Sequence, residues 1–318
     1  MDELRPNGKL NVAIALVTYV ICISALVEAS KTKSGWVTAL CILVFALANS
    51  TIFSLLHESV HRIFSESLLI NNIFGICSSA FFPTGFSLQR GFHLGHHRRN
   101  RTDAEMFDLY YPKDVKFFKF IQWYSLFTGF YWLSVAFTAF MVMIWPGFFR
   151  LSLFTTKKRI IAQTGGEEMF SSIFSEPHPW KMRAEILVPL CFQIGLFVLF
   201  KLDWTKWLLC YWVFGCYWGA IQYADHAWTP RDIRYGAWNL KVAKVIRLIH
   251  LNYHYHQAHH VFPWVPWTHL AKFVDFSKPM PSFWSMYWQM WGGPRPTSEE
   301  SPKPLTPEFE STLITRVR

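Results

Sequence analysis

Hydrophobic positions fall into long runs broken by short polar stretches. Two runs are clear, 11–29 and 36–56, joined by a turn carrying Lys31 and Lys33. Each approaches the ~20 apolar residues that a bilayer-crossing helix needs. The run after Lys9 has no small-residue cleavage site of the usual kind and is long enough to remain as an anchor. A weaker stretch, 68–86, is interrupted by Asn71, Asn72, Gly75 and Pro83-Thr-Gly85, which suits an interfacial or re-entrant segment better than a clean span. Further apolar segments cover 121–148, 185–200 and 204–222, the last two turning at Lys201-Leu-Asp203.

Polar ends complete the pattern. Phe283, Trp284, Tyr287, Trp288 and Trp291 recur at near-helical spacing over 281–291, as in an interfacial helix. Residues 293–318, rich in Pro, Ser, Thr and Glu, read as a disordered polar tail. Residues 1–292 then form a single membrane domain. The expected fold is an all-α integral membrane protein with about four transmembrane helices, 11–29, 36–56, 185–200 and 204–222. Interfacial or re-entrant helices and a cytoplasmic helical cap complete it. Six spans result if segments such as 68–86 also cross.

Composition agrees. Hydrophobic residues make up 52% and charged residues 16% of the chain, against roughly 25% charged in a typical soluble domain. Sixteen Trp and thirty Phe exceed what a soluble core uses, and Trp favours membrane–water interfaces. The net charge of +10 need not signal nucleic acid, and no nucleic-acid partner is expected. Lys and Arg collect in cytoplasmic loops, where they also meet anionic lipid or acidic proteins. The six cysteines lie in apolar stretches without a CxxC pair and read as buried thiols.

Histidine changes the picture most. Eight of thirteen sit in three clusters: His57 with His61, His93 with His96 and His97, and His256 with His259 and His260. Spacings of three and four put each cluster on one helix face, and imidazole is the commonest metal ligand. One HxxxH alone is weak, since a polar helix face explains it. Three clusters beside apolar segments point to a shared metal centre. A structural zinc needs four ligands and a catalytic zinc about three, so this many imidazoles suit two ions. If the clusters build one site, an even number of crossings separates His97 from His256. That condition selects 185–200 and 204–222 as a hairpin and leaves 121–148 interfacial or re-entrant. Loop 149–184, with Arg150, Lys157, Lys158, Arg159, Lys181 and Arg183, lies inside by its charge. The cluster-bearing segments are basic too, which places the clusters and both termini in the cytoplasm. Bacterial inner membrane and endoplasmic reticulum fit equally.

The order HxxxH, HxxHH, distant HxxHH resembles the membrane-bound fatty-acid desaturases and their hydroxylase-like relatives. "GHHRRNRTDAE" after the second cluster and "HQAHHVFPWVPWTHL" at the third extend the likeness, which covers roughly residues 36–275. The resemblance implies two iron ions held chiefly by His57, His61, His93, His96, His97, His256, His259 and His260, with O2 as co-substrate. It implies oxidation of an unactivated C–H bond in a lipid chain. It also implies His226 as a ninth ligand and Gln222 as a water-mediated neighbour, where the nearest branch has Asn in place of this Gln.

Metal-bound imidazoles usually donate their other N–H to a carboxylate or carbonyl. Glu58, Asp103, Glu105, Asp108 and Asp225 lie close enough in sequence to accept it; salt bridges to Arg98, Arg99 or Arg101 are the plain alternative. His178 and His269 read as solvated, and His250 and His254 as outside the ligand set.

No flavin, haem or iron–sulfur motif accompanies the clusters, so electrons are expected from an external ferredoxin or small b-type cytochrome. The leading expectation is a di-iron desaturase introducing a double bond into a fatty-acyl chain. A hydroxylase, ketolase or oxidative decarboxylase of a lipid or carotenoid uses the same centre. A His-rich metal transporter is the alternative from another class, though transporters place ligands near the midplane, whereas these clusters follow the spans.

Overall fold

The computed structural model of the chain describes residues 4–151, 170 and 178–306. Long helices begin where polar residues can cap them. In α1 (Gly8–Lys31), Asn7 Oδ1 accepts the Leu10 N–H, and in α2 (Gly35–Val60) Ser34 does the same for Val37. These two pack as a hairpin, and the second half of α2, from Phe45 onward, runs through the centre of the protein. Leu16, Val17 and Val20 on α1 and Leu40 and Leu43 on α2 stay exposed, as lipid-facing side chains would.

The stretch read as weakly apolar forms α3 (Leu68–Ser79), a bend at 80–85, and α4 (Phe86–Arg99). With 12 residues α3 is about 18 Å long, against the ~30 Å of a bilayer core, so it does not support a six-span arrangement. Next come α5 (Lys116–Ser125) and α6 (Phe130–Ile144), apolar enough together to cross but bent by 89°. Gly129, at φ 87°, makes that corner. A bend of this size is found in a re-entrant segment, as expected for 121–148, and equally in a broken span that crosses.

The second hairpin is α7 (Pro179–Phe200) and α8 (Trp204–Ala224), turned at Lys201 in the left-handed region and capped by Asp203. By length and composition α1, α2 and α7 can each cross a membrane. α8 has the length, but its Trp and Tyr content leaves it less apolar, and it packs along α2 with one face buried. Short helices α9 (Lys244–Ile249), α10 (His256–Val261), α11 (Trp267–Leu270) and α12 (Phe283–Met290) complete the described chain. Lys157, Lys158 and Arg159, used above to orient the 149–184 loop, lie outside the described residues.

One expectation needs correction. Residues 293–306 are not a loose tail. Arg295 and Pro296 (β2) pair in parallel with Leu109 and Tyr110 (β1). Arg295 N donates to Asp108 O, Thr297 N to Tyr110 O, and Leu305 N to Arg98 O. The Arg295 guanidinium also lies 3.7 Å from the Trp228 ring centroid. Composition alone reads this segment as disordered, because its partners are backbone groups and an aromatic face supplied from elsewhere. Residues 307–318 lie outside the described part.

Candidate metal centre

Each histidine cluster sits where a helix ends or begins. His57 and His61 close α2, where Arg62 at φ 60° terminates the helix. His93, His96 and His97 occupy the last two turns of α4, and α10 carries His256, His259 and His260. His226 follows α8 directly. These ends meet at the centre of the described structure.

The nine imidazoles form two groups. His57, His61, His93, His97 and His259 make the first, His96, His226, His256 and His260 the second; within each group one ligand atom per residue lies within 4.8 Å of all the others. All are buried except His96, which is half-buried. Ring nitrogens approach one another both within a helix and between helices. His61 Nε2 is 2.8 Å from His93 Nε2, and His97 Nε2 is 3.1 Å from His93 Nε2 and 3.0 Å from His259 Nε2. In the second group His260 Nε2 is 3.3 Å from His96 Nε2 and 3.2 Å from His256 Nε2. Two nitrogens about 2.1 Å from one ion and at right angles to each other stand about 3.0 Å apart. The donors therefore fit a first-row metal ion in each group.

Burial, and then the neighbouring imidazoles, hold His93, His97, His256, His259 and His260 well below the ordinary histidine pKa. Burial and the nearby His96 do the same for His226. Neutral imidazoles are the ligating form.

A backbone carbonyl aims one ring of the second cluster, and two carboxylates stand near two others. His226 Nδ1 donates to the Gly236 carbonyl at 3.0 Å, which leaves Nε2 for a metal. His96 Nδ1 is 3.5 Å from Glu105 Oε2, and His256 Nδ1 is 3.6 Å from Asp225 Oδ2. Burial would raise the Glu105 carboxyl, but the His96 and Arg99 contacts bring it below its usual range. Burial pushes Asp225 well above the ordinary carboxylate range. Asn100 Nδ2 also donates to Gly236 O, at 3.1 Å, tying the end of α4 to this turn. A Cβ at 236 would meet the Asp232 carbonyl and the Arg101 side chain, so only glycine fits there.

Three of the five expected orienting carboxylates lie elsewhere. Asp103 is half-exposed and accepts from Arg231 Nη2 at 2.7 Å and from the Tyr111 hydroxyl at 2.9 Å. A short 3-10 turn, Asp103–Glu105, carries Asp103 outward and turns Glu105 in toward His96. Glu58, turned about 100° from His57 on α2, instead accepts the Trp267 N–H at 3.1 Å and so secures the segment after α10. Asp108 takes the salt-bridge alternative with Arg101 at 2.8 Å and also accepts the Trp228 N–H at 2.6 Å. Gln222 accepts from the Tyr253 hydroxyl at 2.9 Å. Tyr253 packs its ring on His57 and His256, a contact that no spacing in the sequence announces.

Among the other histidines, His178 is exposed and His269 half-buried. His250 accepts from or donates to the Tyr217 hydroxyl at 2.8 Å, and buried His254 packs at a tilt against the Tyr255 ring; both stand outside the two groups.

A cavity of about 360 Å3 opens beside His93, His96 and His226. Its walls are largely apolar, with Phe82, Phe107, Leu126, Tyr131 and Trp218 among them.

Buried imidazole groups at the ends of apolar helices, facing an apolar cavity, define a helical membrane protein built around a metal-binding centre. The sequence model of the fatty acid desaturase family matches residues 34–291, most of the chain and every histidine in both groups. The chain belongs to the fatty acid desaturase family, whose members act on lipid. No curated protein matches it.

Proposed function

We propose that this protein is a di-iron, O2-dependent desaturase that introduces a double bond into a fatty-acyl chain. The observation that carries the reading is the division of nine imidazoles into two groups beside one apolar cavity. His57, His61, His93, His97 and His259 would hold one ion, and His96, His226, His256 and His260 the other. Two iron ions bound there would supply reductive activation of O2, which breaking a methylene C–H bond requires and side-chain acids and bases do not provide. In net terms –CH2–CH2– becomes –CH=CH–, and O2 with two electrons and two protons leaves as two waters.

The chain's own groups position and dry the reacting segment. Phe107, Leu126, Tyr131 and Trp218 exclude water from the bound chain. Gly236 O orients His226, and the Glu105 and Asp225 carboxylates stand beside the Nδ1 atoms of His96 and His256. Gln222, beside His226 in the cavity wall, would hold a water next to the second ion.

Residues 1–292 would act as one domain with four spans, with the histidines and both termini in the cytoplasm. Exposed Lys113, Lys116, Lys241 and Lys244 suit docking of an acidic ferredoxin or small b-type cytochrome that delivers the electrons.

Expression in a host of defined lipid composition, followed by mass spectrometry of fatty acids and pigments and by iron analysis, tests this. The expected result is a new O2-dependent double bond, lost in His96→Ala and His97→Ala. A hydroxylated, oxo or shortened product would reassign the centre to a hydroxylase, ketolase or decarboxylase. Metal uptake into vesicles without lipid oxidation would mark a transporter.

A further inference from the structure

Helix α4 carries three of the nine imidazoles, yet its own sequence makes it a weak helix. It has 14 residues, close to the length at which an isolated helix is marginal in water. Gly91 and Gly95 interrupt its interior, and glycine is a poor helix former. Its N-cap is Gly85, which has no side chain to accept the first N–H groups, and its first turn holds no acid.

The missing acceptor comes from α7. Glu185 Oε2 accepts the Ser87 N–H at 2.6 Å, at the second helical position, where an N-cap side chain normally reaches. Glu185 is buried, and its other oxygen lies 3.8 Å from Lys181 Nζ. A carboxylate there also meets the positive end of the helix dipole. Gly85, at φ 72°, lets the two backbones touch, since a Cβ would stand 3.0 Å from the Glu185 carbonyl. One turn on, Leu88 packs in a cluster with Met182 and Ile186 of α7 and Ala139 and Val142 of α6. The far end of α4 is held separately by Asn100, whose Nδ2 donates to the Ile233 and Gly236 carbonyls.

We propose that Glu185 is a positioning residue for the metal centre. It caps α4 from a neighbouring helix and so fixes the tilt at which the α4 histidines meet the two ions. The proposal rests on the two-ion reading of the imidazole groups. With Asn100 as pivot, His93 lies about 10 Å along the helix, and His96 and His97 about 6 and 4 Å. A tilt of about 3° then moves His93 by about 0.5 Å, the tolerance of a ligand constellation, and His96 by about 0.3 Å. The first group, which takes His93, is therefore the more sensitive. A disturbance at Gly236, which holds His226, acts on the second group instead.

Two substitutions at one position test this. Glu185→Leu removes the acceptor, and Glu185→Gln keeps an acceptor oxygen. Hydrogen exchange of the metal-free, full-length protein in phosphatidylcholine nanodiscs is mapped by mass spectrometry. Exchange in a peptide covering 84–92 should rise about fivefold in Glu185→Leu, as for a lost N-cap, and stay near wild type in Glu185→Gln. Exchange in α1 should be the same in all three, which confirms that they fold. The proteins are then loaded with Co2+, a spectroscopic stand-in for Fe2+, and titrated with chelator while the cobalt absorption is followed. His61→Ala, which empties the first group, identifies that ion's absorption. Glu185→Leu should weaken the first ion ~10–100-fold, as loss of a ligand's support does, and the second ion less; Glu185→Gln should restore both. Faster exchange with an unchanged chelator profile would overturn the proposal, because the cap would then support only the helix. So would a loss confined to the second group, or Glu185→Gln as impaired as Glu185→Leu. Exchange that depends on Glu185 in a chain that takes up no cobalt would sink the two-ion reading and leave the cap standing.

Discussion

Replacing Gly236 with Ala perturbs the second imidazole group from outside it. The Gly236 carbonyl accepts from His226 Nδ1 at 3.0 Å and from Asn100 Nδ2 at 3.1 Å. The added Cβ would meet the Asp232 carbonyl and the Arg101 side chain, with the Pro230 carbonyl 3.0 Å away. Backbone carbonyls cannot rotate aside, so the turn itself must shift. Overpacking of this kind costs about 1–3 kcal/mol, and the two hydrogen bonds add about 0.5–1.5 kcal/mol each. The sum is about 2–6 kcal/mol, enough to lower Tm visibly. At the metal, disturbing a group that orients a ligating imidazole costs ~10–100-fold in affinity. Chelator titration with metal analysis should therefore show half of the bound metal becoming labile. The other half, in the group of His57, His61, His93, His97 and His259, should hold, because Gly236 touches none of them. An unchanged chelator profile with unchanged Tm would refute the reasoning. So would loss of all metal from a protein that stays folded.

Other expectations follow from the same geometry. His61→Ala removes a nitrogen 2.8 Å from that of His93, so metal analysis should show the first group depleted while the second retains its ion. Arg101→Ala strands the fully buried Asp108 carboxylate and should cost about 3–5 kcal/mol in chemical denaturation; Arg101→Met with Asp108→Asn should cost less than the single change. The clustered histidines have pKa values depressed by burial and by one another. The unfolded chain therefore binds more protons below its histidine pKa of about 6.5. The metal-free protein should accordingly lose stability as pH falls from 7.5 to 5.5; a flat Tm over that range would contradict the burial. Arg295→Ala removes the stacking on Trp228 at 3.7 Å and should lower stability by about 0.5–2 kcal/mol, with protease cleavage after residue 293 as a second readout.

How far each feature was legible depended on the range of the interaction behind it. Helix faces are local, so the spacing of His93, His96 and His97 already implied convergence. Choosing among carboxylates was not local. Asp103 and Glu105 are two residues apart, yet one turn sends Asp103 to Arg231 and Glu105 to His96. Sequence proximity to a histidine does not fix which side of a helix end a carboxylate occupies, and Glu58 shows the same on α2.

By itself the sequence determined the apolar helices, the three histidine clusters and their likeness to a lipid-oxidising family, because these depend on period and residue type along the chain. Only the tertiary structure decided how nine imidazoles divide into groups of five and four. It also placed His226 in the second group, ordered residues 293–306 against the loop after α4, and set Glu185 of α7 against the first turn of α4. Each of these arises from contacts between segments far apart in the chain, where packing of one helix end against another sets distances that no spacing along the sequence encodes.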